Sequence, residues 1–243
     1  MLIVNADDWG RNKSTTDNTM VCFKNGRITS ASAMVFMEDS ERAAEMALEA
    51  DLDTGLHLNF IEPFSGVNKS RMLIEYQGRI AAFLKAHKYS LLLYNPLLTS
   101  AFEYVYRAQY EEYQRLYKKK PTHFDGHHHM HLCSNVLWQT LIPKRSKVRR
   151  SFSFASGEKS VANRLYRSLL DSLLMRKYRC VDFFFSIEPV QNLDRFGRIL
   201  KLSLAHDVEL MIHPEKSAEF SYLLSAEYKV AIQGTKMGSY RVL

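Results

Sequence analysis

The residues best suited to chemistry crowd into one stretch, Thr122-His123-Phe124-Asp125-Gly126-His127-His128-His129-Met130-His131-Leu132, which holds five of the chain's nine histidines. Extended backbone alternates its side chains between two faces. Read as a strand, the stretch sets Asp125, His127, His129 and His131 on one face and Gly126, His128 and Met130 on the other. A row of imidazoles beside a carboxylate suits a borderline-soft divalent metal, because neutral imidazole is the commonest metal donor. The tract is internal and interrupted, unlike a purification tag; a solvated histidine-rich loop is the plain alternative.

Other polar residues stand where apolar runs end. Leu2–Val4 runs into Asn5-Ala6-Asp7-Asp8-Trp9-Gly10, and Val208–Ile212 runs into His213-Pro214. In Thr54-Gly55-Leu56-His57-Leu58-Asn59-Phe60, His57 shares its alternate face with small and polar residues only. A lone strand histidine is more often a hydrogen-bonded core residue, but this one follows the double aspartate by a single β-α-β unit. Asp7/Asp8, His57, Asp125/His127 and His213 thus come from four strand ends, the pattern of a barrel active site. One carboxylate with two histidines leaves coordination positions open, as a catalytic rather than a structural metal site does. Zinc, cobalt, nickel or manganese fits such donors. The spare aspartate can serve as general base toward water activated by the metal, and a histidine across the site as proton donor to a leaving group.

The elements that must position these groups alternate along the chain. Strands are expected at Leu2–Val4, Ile28–Phe36, Thr54–Phe60, the histidine stretch, Lys147–Phe154, Val181–Ile187 and Val208–Ile212. Helices are expected to about Lys24 after a cap at Asn12 or Ser14, over Ser40–Ala50, from Ser134 or Asn135 to about Leu141, and over Glu158–Tyr178, Gln191–Leu204 and Glu215–Val230. Residues 61–120 break the rhythm: a loop over Pro63–Ser70, then helical pattern from about Ile80 to Tyr117, interrupted at Asn95-Pro96 and rich in tyrosine and phenylalanine. This alternation predicts an α/β fold, a distorted (β/α) barrel of about seven parallel strands with a helical insertion after the third.

At 243 residues the chain fits one domain, residues 1–243, with no repeat or linker. Cys22, Cys133 and Cys180 are scattered, which argues against a disulfide framework and suits a reducing cytoplasm. The start shows no signal-peptide pattern, and no run approaches a membrane span. A net charge of +7 sits in patches such as Lys118-Lys119-Lys120 and Lys144–Arg150. No nucleic-acid-binding motif accompanies it, so nucleic acid is not expected as a partner.

Taken in order, Asn5-Ala6-Asp7-Asp8-Trp9-Gly10, Thr29-Ser30, Gly55-Leu56-His57-Leu58-Asn59, the histidine stretch and His213-Pro214 resemble the YdjC-like carbohydrate deacetylases, the family of the chitooligosaccharide deacetylases and the hopanoid-pathway deacetylase. The resemblance runs nearly end to end. It implies a distorted barrel related to the polysaccharide deacetylases and one divalent metal ion, zinc, magnesium or another first-row metal. It implies Asp8, His57 and His127 as metal ligands, Asp7 as general base and His213 as the acid that protonates the leaving amine. Asp125 would orient a neighbouring histidine, and Arg149 would hold Asp7 or substrate; His129 and His131, on the face of His127, are further candidates to touch substrate or support the site, and the family pattern does not assign them. The expected substrate is a small acetylated sugar or oligosaccharide; a homodimer is left open. Trp9 stands where phenylalanine is usual, and Glu215 where many members have glycine. The alternatives are a metal-dependent hydrolase of another amide or a phosphoester, and a non-catalytic metal- or glycan-binding protein. The presence of both aspartates with His213 argues against the last, since binding alone needs neither base nor acid.

Overall fold

The structure, a computed structural model, describes residues 1–154, 158–190 and 192–243. The elements run β1 (Leu2–Trp9), α1 (Lys13–Lys24), β2 (Ser30–Ala33), α2 (Ser40–Glu49), β3 (Thr54–Leu58), α3 (Arg71–Ala86), α4 (Thr99–Tyr117), β4 (Phe124–Gly126), α5 (Ser134–Gln139), α6 (Val161–Met175), β5 (Phe183–Ser186), α7 (Leu193–Ser203), β6 (Val208–Ile212), α8 (Ser217–Leu224), α9 (Ala226–Ala231) and β7 (Met237–Gly238). The strands lie in the order β4-β3-β2-β1-β6-β5, all pairs parallel, with β7 added beside the start of β1. The sheet curls into a half-barrel flanked by helices.

Period-two alternation explains both faces. Leu2, Val4, Ala6, Ala31, Ala33, Leu56, Leu58, Val208, Leu210 and Ile212 belong to the main apolar core. Burying each Leu or Ile side chain among them stabilises the fold by about 1.5–3 kcal/mol. The alternate residues, Asn5, Asp7, Ser30, Ser32, His57, Asp125 and Glu209, are equally buried but polar. The cost of burying them is offset only by mutual hydrogen bonding, so the concave side must hold a connected polar network.

Local signals set the element ends. The Asn12 side chain accepts from the Thr15 amide to open α1, and the helix closes at Asn25 before Gly26. The expected insertion follows β3: α3 starts earlier than Ile80, capped by Ser70, and α4 follows the break at Asn95-Pro96. Several of its aromatics are packing residues; Phe102, Tyr113 and Tyr117 are fully buried, and the Tyr113 hydroxyl meets Thr54 on β3.

Three expectations are corrected. The histidine stretch is a strand only through Gly126. His127–Leu132 is a 3₁₀-like turn in which His128 and His129 are left-handed, with φ of 51° and 59°. The ladder ends because Gly126 pairs with Leu58, the last residue of β3. The chain then folds back over Gly126 so closely that a Cβ there would lie 2.9 Å from the His131 amide. The common face proposed for Asp125, His127, His129 and His131 therefore does not form. Second, Lys147–Phe154 makes only isolated bridges, Phe124 to Val148 and Lys147 to Arg179, with two different neighbours, and the seventh strand is instead β7. Third, the helix expected over Glu215–Val230 divides at Ser225, whose hydroxyl caps α9 through the Tyr228 amide. The expected start of α7 at Gln191 lies outside the described residues. No helix among them is long and apolar enough to cross a membrane.

Candidate active site

The carboxyl ends of β1, β3, β4 and β6 open into one cleft of about 600 Å³ whose walls include Asp7, Asp8, His57, His127 and His213. A bulge between Ala6 and Trp9 in the pairing of β1 with β2 brings consecutive aspartates to the same mouth. Asp8 adopts φ 64°, a left-handed conformation that costs a non-glycine residue about 1–3 kcal/mol. Without it, strand alternation would turn Asp7 and Asp8 to opposite faces.

Asp8, His57 and His127 bring one donor atom each to within 4.8 Å of one another, all buried. Asp8 Oδ1 lies 2.9 Å from His127 Nδ1 and 3.2 Å from His57 Nε2. Nitrogen and oxygen ligands bind zinc at about 2.0–2.2 Å, so donors around one ion sit about 3–3.5 Å apart; the two separations from Asp8 Oδ1 match that spacing. His57 Nδ1 is 2.8 Å from Asp125 Oδ1, so Nδ1–H donates a hydrogen bond to Asp125 and, in the neutral ring, the Nε2 lone pair is aimed at the site. Burial opposes a charge on His57, but Asp125 and Asp7 outweigh it and push its pKa up to about 10. Burial likewise opposes ionisation of Asp8, yet His127 and His57 hold its carboxyl well below the usual range. A proton on His57 fills the place of positive charge that a cation would take. A second cluster, Asp7, His57 and Asp125, also gathers within the same span. It does not suit a metal, because the Arg149 guanidinium already occupies its carboxylates.

Arg149 is fully buried and meets three acids. Its NH1 and NH2 reach Asp7 Oδ2 and Oδ1 at 2.7 and 2.6 Å, NH2 lies 2.8 Å from Asp125 Oδ2, and Nε donates to Glu209 Oε1 at 2.8 Å. The paired bonds fix the plane of the Asp7 carboxylate. Asn5 adds a bond to Asp7 at 3.0 Å, and Ser32 donates to Asp125 at 2.6 Å. His213 faces Asp7 across the cleft, with Nε2 4.0 Å from Oδ2. Its backbone amide donates to Glu219 Oε2 at 2.7 Å, and Nδ1 stands 3.8 Å from Glu219 Oε1, a Coulombic rather than a hydrogen-bonding distance. Burial works to lower the pKa of His213, but Glu219, Asp7 and Asp8 outweigh it and raise the value above the ordinary imidazole range.

The remaining expected residues separate. His129 lines the cleft, its ring set edge-on against Phe152. His131 is fully buried and donates from Nε2 to the Arg149 carbonyl at 3.0 Å, so it supports the arginine segment and has no surface for substrate. Glu215, the departure from glycine, accepts both contacts of Arg11 NH1 at 3.1 Å, and Arg11 Nε donates to Glu62 at 2.9 Å. Glu62 also stands 2.8 Å from His127 Nε2. Sequence reasoning missed Glu62, Glu209, Glu219 and Ser32. Glu209 had a signal, a single charge inside the apolar run Val208–Ile212, as did Ser32, through its alternation with Ala31 and Ala33. Glu62 and Glu219 carry no such mark.

The profile of the family described as YdjC-like protein matches residues 1–234. A chitooligosaccharide deacetylase of Escherichia fergusonii is 28% identical over 99% of this chain and 98% of its own length. A carbohydrate deacetylase of Clostridium beijerinckii is 32% identical over 56% of this chain and 52% of its own. In three dimensions the chain resembles a solved structure from Enterococcus faecalis V583, of a protein named for cellobiose-phosphate cleavage. The TM-score is 0.69 at 18% identity, covering 99% of this chain and 97% of that one. That likeness speaks for the fold alone.

Proposed function

This chain belongs to the YdjC-like protein family, and from that premise we propose that residues 1–243 act as one metal-dependent domain that removes the N-acetyl group from an N-acetylglucosamine-type sugar. The observation that carries the reading is the single cleft in which Asp8, His57 and His127 converge beside a clamped Asp7 and an opposed His213. The names of the full-length relatives point the same way.

Asp8, His57 and His127 would hold the divalent ion, which supplies Lewis acidity to the amide carbonyl and makes water a stronger acid. Asp7, oriented by Arg149 and Asn5, accepts a proton from water as its oxygen bonds to the acetyl carbon. His213, whose pKa Glu219, Asp7 and Asp8 raise against the opposing effect of burial, donates its proton to the sugar nitrogen as the carbon–nitrogen bond breaks. The products are acetate and a free amine; the proton on Asp7 passes to the amine or to solvent, and His213 is recharged from solvent. Asp125 holds His57 in the tautomer that the site needs.

The test is acetate release from N,N′-diacetylchitobiose by protein stripped of metal and then given zinc, cobalt or magnesium. Release restored by metal supports the reading. Metal bound at one ion per chain without acetate release would discard this substrate class, and failure to bind any metal would discard the site.

A further inference from the structure

The last residues of the chain, beyond the last residue matched by the family profile, pack against the start of the sheet. β7 pairs with Leu2 and Ile3 at the start of β1, the strand that ends in Asp7. Tyr240 then turns inward. It is fully buried, stacks on His123 with ring centroids 3.8 Å apart, and packs with Ile3, Phe184 and Met211. Its hydroxyl donates to Glu209 Oε2, while Glu209 Oε1 accepts a hydrogen bond from Arg149 Nε at 2.8 Å. Arg149 in turn clamps Asp7. A second route runs through the backbone: Lys147, two residues before Arg149, donates from Nζ to the carbonyls of Tyr240 and Arg241.

We propose that Tyr240 and Glu209 are positioning residues for the reaction. The tail hydroxyl orients the Glu209 carboxylate, Glu209 fixes the guanidinium of Arg149, and Arg149 sets the plane of the Asp7 carboxylate that accepts the proton. The physical need is plain. Arg149 faces Asp7, Asp125 and Glu209 together, and a guanidinium shared among three acids has more than one way to pair. The bond from Nε to a Glu209 carboxylate that Tyr240 holds from the other side selects the orientation with NH1 and NH2 on Asp7. Burial pushes the Glu209 carboxyl up to about 7 against the pull of Arg149, so the tyrosine hydroxyl also compensates an acid that burial disfavours.

The inference rests on the deacetylase reading for its kinetic arm only. Tyr240→Phe keeps the ring stack and removes one hydrogen bond; Glu209→Gln keeps shape and removes charge. With zinc-loaded protein and N,N′-diacetylchitobiose, we expect kcat per bound metal to fall about tenfold in Tyr240→Phe, as for one lost bond to a charged group. KM should stay within about twofold and metal stoichiometry should be unchanged, because the lost interaction is felt in the transition state. Independently of turnover, ¹⁵N-arginine-labelled protein reports the exchange of the Arg149 Nε proton with solvent. That exchange should speed up in both variants while far-ultraviolet circular dichroism stays constant. Unchanged kcat per metal with unchanged Nε exchange would make the tail a purely structural plug and overturn the proposal. If the wild-type protein releases no acetate, the deacetylase reading fails and the exchange measurement alone decides whether the tail positions Arg149.

Discussion

At the scale of single residues, the proposed proton acceptor, Asp7, and the proposed donor, His213, sit in different environments. Asp7 is held among hydrogen-bond donors, whereas burial works to lower the pKa of His213 and the carboxylates of Glu219, Asp7 and Asp8 raise it overall. A donor must be protonated to act, so turnover should persist below the raised pKa of His213 and decline as pH rises through it. His213→Gln should lower kcat by about 10²–10⁴-fold and abolish that alkaline limb; a variant that kept the limb would remove His213 from the role. Asp125→Asn should weaken metal affinity by about 10–100-fold, as loss of an orienting carboxylate does, measured by competition with a chelating dye. Two other histidines serve stability. Burial pushes His123 and His131 down to about 4 from an ordinary 6.5. Between those values the unfolded chain binds more protons than the folded one, so each contributes a loss of stability as pH falls from 6.5 toward 4. Melting temperature measured across that window should fall less steeply in His131→Gln than in the parent; identical slopes would contradict the assignment.

Elements decide how these residues meet. The sheet's concave side works because small residues let large ones approach. Gly55 on β3 faces the His123 ring so closely that a Cβ would run into it. Gly55→Val should therefore destabilise by about 1–3 kcal/mol through overpacking, read as a lower melting temperature, with metal binding retained in what remains folded. Much of this level was legible. Apolar runs ending in Asp7-Asp8 and His213, and the alternation that singles out His57, marked the site-bearing strands, because buried parallel strands carry chemistry where they stop. The histidine stretch was misread in shape though not in place. Alternation describes a strand only while a neighbour pairs with it, and β3 gives out at Leu58 opposite Gly126. Nothing local announces that His128 and His129 turn left-handed, since that follows from the tertiary return over Gly126. Arg149 was reached by resemblance and not by strand pattern, because its segment bridges two neighbours instead of joining a ladder.

For the whole molecule, one buried network spans from the chain's first strand to its end. Asp7 and Asp8 near the start, His57, Asp125 and His127 in the middle, and Arg149, Glu209, His213 and Tyr240 later all meet around one half-barrel axis. Sequence spacing could propose that convergence but could not supply the partners Glu62 and Glu219, whose positions depend on loops and on α8 folding back against the cleft. In the proposed reaction, metal binding and proton transfer are divided between the two adjacent aspartates. The most direct test sets Asp7→Asn beside His127→Ala, measuring bound metal per chain and acetate release on the same samples. Asp7→Asn should retain about one ion and lose turnover by about 10²–10⁴-fold, whereas His127→Ala should lose both. An Asp7→Asn protein that turns over at near the parent rate would contradict the account.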